Sequence, residues 1–246
     1  MIRTILTTAL LLVLSNVTHT QNNDFDDTFI TENFKLLNTV DTELAICMSP
    51  IIEGRMKLKL KDTTSFYSPM KKLSKYVTIK LSEDSLVKTY SWDRINGGSW
   101  HDMASYVQFK NSSGQIKYQQ LDSGDEYMTG EPTCVIIYDI HAIKSKNKTY
   151  YLMLGWGTYG GGLHHCLARV YQITTDGFVQ YETIFQGDKY LLAGANRVNK
   201  INLKYNSELG ELSYFHYEYD EDNGFYNGES KVETWLFDTD KFIKQD

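Results

Sequence analysis

The chain is poor in the residues that build covalent or rigid frameworks, with 3 prolines and 3 cysteines in 246 residues. Three cysteines allow at most one disulfide, which excludes a disulfide-stapled scaffold. Cys134 and Cys166 head the expected first and third strands of one meander. Such strands stand about 9.5 Å apart, beyond the roughly 7 Å Cα limit for a bridge. Any bridge must therefore involve Cys47, and all three read as small buried hydrophobes. There is no His-Glu-x-x-His or paired Cys-x-x-Cys, no Gly-x-Ser-x-Gly elbow, no P-loop and no Rossmann fingerprint. Excess positive charge is missing too. The net charge is −6, against the basic balance that bulk nucleic-acid binding needs. Past the first 20 residues no apolar run approaches the roughly 20 needed to span a bilayer. A transmembrane barrel is disfavoured because Lys and Asp fall on both strand faces.

What is present begins at the N-terminus. Arg3, the apolar run Thr7 to Leu14 and the small-residue site Thr18-His19-Thr20 before Gln21 read as a secretory signal peptide. Residues 1–20 are expected to be removed, leaving an exported protein, periplasmic or extracellular, that does not span the membrane. The remaining chain suits one large β domain. Its 18 tyrosines favour strands with amphipathic faces. A lysine-rich stretch, Arg55 to Lys80, reads as a solvated strand edge in preference to a polyanion or membrane surface.

From Thr28 to Met48, Ile30, Phe34, Leu37, Leu44 and Met48 recur at helical spacing, and Pro50 is expected to stop that helix. This defines an N-terminal helical segment, residues 21–50. From Met56 the period changes: Met56-Lys57-Leu58-Lys59-Leu60-Lys61 alternates as a strand with one wet face would. Turn signals then divide residues 51–246 into hairpins, at Asn111–Gly114, Thr174–Gly177 and Asp238–Lys241 among others. The strands group into three units, about 76–121, 134–185 and 200–244, with Pro132 and the Gly194-Ala195-Asn196 stretch punctuating the joins. The expected fold is mainly β, with repeated four-stranded antiparallel meanders after one N-terminal helix. Such meanders form a propeller-like ring or, alternatively, a twisted open sheet or sandwich.

An internal repeat supports the grouping. Trp92, Gly97, Gly98, His101, Ala104 and Gln108 superpose without a gap on Trp156, Gly161, Gly162, His165, Ala168 and Gln172, at an offset of 64 residues. The long loops of the units carry Trp92, Asp93, Trp100 and His101 in the first, and Trp156, Tyr159 and His165 in the second. Asp220 to Gly228 is the corresponding loop of the third. Equivalent loops should open on one face, where aromatic platforms beside polar groups suit sugars and similar amphipathic ligands. The competing structural reading places both tryptophans in the core at strand ends.

No metal or cofactor is expected. His164 and His165 are strand neighbours that point to opposite faces. The acidic run Asp220-Glu221-Asp222-Asn223-Gly224 misses the calcium-loop register and reads as a solvated turn. Cys166 shares an apolar face with Ala168 and Val170 and reads as core.

Tyr90-Ser91-Trp92-Asp93, then Gly97-Gly98, Tyr106-Val107-Gln108-Phe109 and Tyr150-Tyr151-Leu152, resemble a poorly characterised group of secreted proteins of Gram-negative bacteria. The resemblance covers about the middle half of the chain and implies export and a similar β fold. It implies no activity, because the group has none assigned. Two function classes follow from the sequence. One is a non-catalytic exported binding or cell-envelope module, its ligand a carbohydrate or envelope component, which the missing catalytic motifs favour. The other is a secreted, glycan-directed hydrolase using loop carboxylates, which would need two carboxyl groups about 5–10 Å apart beside Trp92 or Trp156.

Overall fold

The structure is a computed structural model that describes residues 27–96, 98–122, 132–175 and 177–245. The expected signal peptide and its cleavage site, together with Gly97 of the repeat and Asp176 of a turn, lie outside the described residues.

Helix α1 is described from 27 to 37. Ile30, Phe34 and Leu37 are buried at helical spacing. Helix α2 (Thr42–Lys61) starts at Asp41, whose side chain accepts the Leu44 N–H at 2.9 Å. It does not stop at Pro50, which lies inside it. The expected strand Met56–Lys61 is the last part of this helix. Positions four apart share a face in both periods, so Met56 and Leu60 fit either pattern. Leu58 decides between them, because it is exposed while its neighbours at 56 and 60 are buried. Pro50 is tolerated because apolar burial flanks it (Ala45 before, Ile52 and Met56 after), and the carbonyl it leaves unpaired sits on the exposed side. A short helix α3 (Thr64–Tyr67) and a 3₁₀ turn (Leu73–Lys75) lead into the strands.

Three antiparallel sheets follow in chain order. The first orders β1 (Thr78–Leu81), β2 (Val87–Asp93), β3 (Met103–Lys110) and β4 (Ile116–Gln120). The second contains β5 (Ile136–Ser145), β6 (Lys148–Thr158), β7 (Leu163–Ile173) and β8 (Phe178–Gln180), with β9 (Tyr190–Asn196) on the same edge of β7 as β8. The third orders β10 (Lys204–Asn206), β11 (Glu211–Asp220), β12 (Phe225–Asp238) and β13 (Lys241–Lys244). The hairpin turns at Asn111–Gly114, Thr174–Gly177 and Asp238–Lys241 close where expected. Two elements differ. Gly194-Ala195-Asn196, read as a join, belongs to β9. The acidic run after Asp220 is a tight turn and no long loop, because Asp220 accepts the Asp222 N–H at 3.0 Å and Gly224 takes φ 75°.

The sheets stack face to face beneath the helices. The α1–α2 layer packs on Tyr90, Trp92, Ala104 and Tyr106 of the first sheet. The other face of that sheet, with Val87, Val107 and Phe109, meets Tyr151, Met153, Leu167 and Tyr171 of the second. The second sheet turns Leu152, Leu154, Cys166 and Ala168 towards Leu212, Tyr214 and Phe242 of the third. Apolar area is thus removed from water on both faces of the middle sheet, which dominates the favourable side of folding. The protein is mainly β, and its open sheets fit the twisted-sheet or sandwich arrangement. None of the three cysteines is in a disulfide; Cys134 and Cys166 are buried as expected, whereas Cys47, also expected to be buried, is exposed. Cys47 lies on the solvent side of α2, between the buried Ala45 and Ser49.

Candidate functional site

The loop after β2 is built around Arg94. Its guanidinium donates through Nε to Glu53 Oε2 at 2.7 Å and through Nη2 to Glu53 Oε1 at 3.3 Å. It also reaches Asp102 at 2.7 Å, Asp122 at 3.0 Å and the Met103 carbonyl at 3.2 Å. All five N–H groups are engaged. Burial alone would raise the Glu53 carboxyl, but hydrogen bonds from Arg94 and Tyr106 and the Arg94 charge hold it down at about 2. The cluster ties α2 to the end of the first sheet. Asp93 then accepts the Ile95 N–H at 2.8 Å, and Ile95 adopts φ 55°. A β-branched residue in this region is an outlier that stores about 1–3 kcal/mol, and such outliers cluster at functional sites.

On the rim above this cluster, His101 Nδ1 lies 2.6 Å from Asp93 Oδ2. The two side chains are 38 and 30 % exposed, open enough to meet a ligand. The His101 N–H donates to Thr158 Oγ1 at 2.8 Å, and Arg197 donates to the Ser99 carbonyl. The first-sheet loop is therefore fastened to the ends of β6 and β9 in the second sheet. Trp100 and Tyr159 are both half-buried beside these fastenings.

Tyr159 leads to His165, ring centroids 4.4 Å apart. His165 is fully buried, and neither ring nitrogen has a hydrogen-bond partner among the described residues. Its cross-strand neighbours are Gly157 and Gly194. A Cβ at Gly157 would stand 2.7 Å from the His165 ring and from the Cys134 carbonyl, and one at Gly194 would collide with the Tyr226 hydroxyl. Glycine at 157 makes room for the imidazole, and glycine at 194 makes room for the Tyr226 ring. Burial, assisted by the neighbouring His164, lowers the His165 pKa to about 3, so the ring is neutral. His164 points to the opposite face, as its strand neighbour should. It accepts the Trp156 Nε1–H at 2.8 Å and contacts the Asn199 carbonyl through Nε2 at 2.9 Å.

The seven expected site residues therefore divide. Asp93 and His101 pair on the rim, where Trp100 and Tyr159 are the chain neighbours of His101 and Thr158. His165 lies directly beneath Tyr159, and Trp156 is half-buried on the other face of the second sheet against the third-sheet core. Trp92 is corrected to the core: it is 2 % exposed, stacked on Tyr106 at 5.4 Å with Phe34 at its edge. Thr158 and Arg197 were missed. Nothing local marks Thr158 as an acceptor for another sheet, and Arg197 follows the stretch read as a join. Among the described residues no group of three or more His, Cys, Asp or Glu is placed to hold a metal ion. No model of a known protein family, no curated protein and no solved structure matches the chain.

Proposed function

We propose that the protein is an exported, non-catalytic binding module of the cell envelope, and that its ligand is a carbohydrate held on the Trp100–Tyr159 rim. The observation that carries this reading is the fastening of two loops from different sheets, His101 to Thr158 and Arg197 to Ser99. Trp100 and Tyr159, both half-buried, are the chain neighbours of the fastened residues His101 and Thr158. Aromatic rings near a polar pair such as His101–Asp93 are the combination that would present an apolar face and directional hydrogen bonds to a sugar. The N-terminal signal pattern and the resemblance to secreted β proteins support export. No helix among the described residues is long and apolar enough to cross a membrane.

The hydrolase alternative fares less well on the chemistry of the carboxylates. Glu53, Asp102 and Asp122 gather close together near Trp92, but all three bind one guanidinium. Glycoside hydrolysis needs a carboxyl raised towards neutrality as the general acid, and Glu53 is held at about 2. The test is calorimetric titration with soluble envelope-type oligosaccharides. Trp100→Ala and Tyr159→Ala should each weaken binding at least about tenfold, a typical loss for an aromatic anchor, and Trp100→Ala should leave the unfolding midpoint near wild type. Binding that survives both substitutions, or an absence of binding to every saccharide offered, overturns the reading.

A further inference from the structure

The outer face of the helical layer is apolar where water should meet it. On α2, Leu44, Ile51 and Leu58 are 46, 59 and 66 % exposed. They are seven residues apart and so line one edge of the helix, drifting only about 20° per step. The opposite edge, with Ala45, Ile52, Met56 and Leu60, is already committed to the first sheet. On the adjoining α1, Phe29 and Leu36 are also seven apart and about half exposed. A single exposed leucine needs no explanation, but two aligned rows on neighbouring helices mark an interaction surface.

We infer that this face is the interface of a homodimer in which α2 lies antiparallel on α2 of a second copy, with the two-fold axis at Ile51. A closed two-fold contact requires a self-complementary patch, and the row has that property. Ile51 meets its own counterpart, and Leu44 of each copy meets Leu58 of the other. The charges agree. Glu43 and Lys61 project from the same flank of the row, about 80° from it at 100° per residue, at opposite ends of the helix. Neither forms an ion pair among the described residues. The two-fold operation carries Lys61 of the second copy to within about 3 Å of rise of Glu43, giving two equivalent ion pairs. A parallel pairing would set Glu43 against Glu43. The antiparallel one also aligns the helix dipoles favourably.

Light scattering after gel filtration, and sedimentation equilibrium at micromolar concentration, test this on the purified protein. The wild type should be a dimer. Ile51→Glu sets two carboxylates against each other on the axis and should give a monomer with an unchanged circular dichroism spectrum. Cys47, exposed on the same side of α2, should alkylate more slowly in the wild type than in this variant. Glu43→Lys should weaken the dimer by a factor of about 3 to 10, and Glu43→Lys combined with Lys61→Glu should recover it, since both exposed pairs are then restored with their signs exchanged. A monomeric wild type overturns the inference, whether the face is covered by residues 1–26 or left bare. So does an Ile51→Glu protein that stays dimeric, or a double reversal no tighter than the single one.

Discussion

His165 and Glu53 are both buried, and acid acts on each through a different imbalance between the folded and unfolded chain. The His165 imidazole is lowered from 6.5 to about 3 by burial and by His164. Below pH 6.5 the unfolded chain takes up a proton that the folded chain refuses, so stability falls as the pH drops from about 6.5 towards 3, by about 5 kcal/mol in full. Glu53 is depressed from 4.5 to about 2. Its contribution is complete above about pH 4.5 and is lost as the pH falls through 2, by about 3 kcal/mol. Urea unfolding at a series of pH values should therefore show two limbs. His165→Leu should remove most of the limb between pH 6.5 and 4.5, the remainder belonging to His164, whose pKa is also lowered by burial. Glu53→Gln should act on the lower limb. A wild type whose stability is flat from pH 6.5 to 5 would contradict the burial of His165. At the same scale, Trp92→Ala removes a ring stacked on Tyr106 with Phe34 at its edge and should cost about 3–5 kcal/mol at neutral pH. The sequence offered both a core and a rim position for Trp92. Alternation places it on the face shared with Tyr90, but nothing in a strand's own pattern says that helices cover that face. The rim pair Asp93 and His101 was legible because both fall in one loop. Their tie to Thr158 was not, since it joins residues 57 apart in sequence.

Among the elements, α2 shows where local patterns mislead. Pro50 and the Met56–Lys61 alternation both argued for a break near residue 50, and each is a local signal overridden by burial. The stripe Ala45, Ser49, Ile52, Met56, Leu60 runs through the proline without interruption. Pro50 is exposed, so Pro50→Ala removes a helix-interior penalty without opening a cavity. It should raise stability by about 1–2 kcal/mol, less than the full penalty because the unfolded chain also gains freedom. A midpoint at or below wild type in thermal denaturation would show that the ring itself contributes to the fold. The strands were far more legible, because the hairpin turns carry their own chemistry. Asn111 accepts the Gln115 N–H, and Gly114 takes φ 80°. Strand β9 escaped notice because Gly194, Ala195 and Asn196 resemble a linker in composition. Gly194 is small for a reason found only in space, the Tyr226 hydroxyl above it. Gly157 is constrained in the same way: a single added methyl would press on the Cys134 carbonyl and His165. Gly157→Ala should destabilise the protein by about 1–3 kcal/mol through overpacking. A neutral result would mean that the Cys134–Val135 segment yields easily.

For the whole molecule, the order of the layers determines which parts open first. The sequence reported three meanders but not how they stack, because turn and alternation signals are local and contacts between sheets are not. In the stack the middle sheet has a core on each face, and β7 is buried along most of its length. Each outer layer has one wet side. Strand β12 is exposed over most of its first half, and α2 leaves Leu44, Ile51 and Leu58 in the open within one protomer. A region with few buried contacts opens at a lower free energy than one packed on both sides. The β6–β7 ladder can separate only when the cores on both of its faces are lost, which amounts to global unfolding. Hydrogen exchange at neutral pH should therefore leave the paired amides of Leu152–Trp156 and Cys166–Val170 protected longest, with opening free energies equal to that of global unfolding. The Tyr226–Val232 stretch should exchange first among the strands. Leu167→Ala, which makes a cavity between the first and second sheets, should lower the protection of β6 and β7 by about 2–5 kcal/mol, together with the unfolding midpoint. Amides of β2 and β3 or of β11 that outlast those of β6 and β7 would place the last-opening core elsewhere and contradict this order of layers.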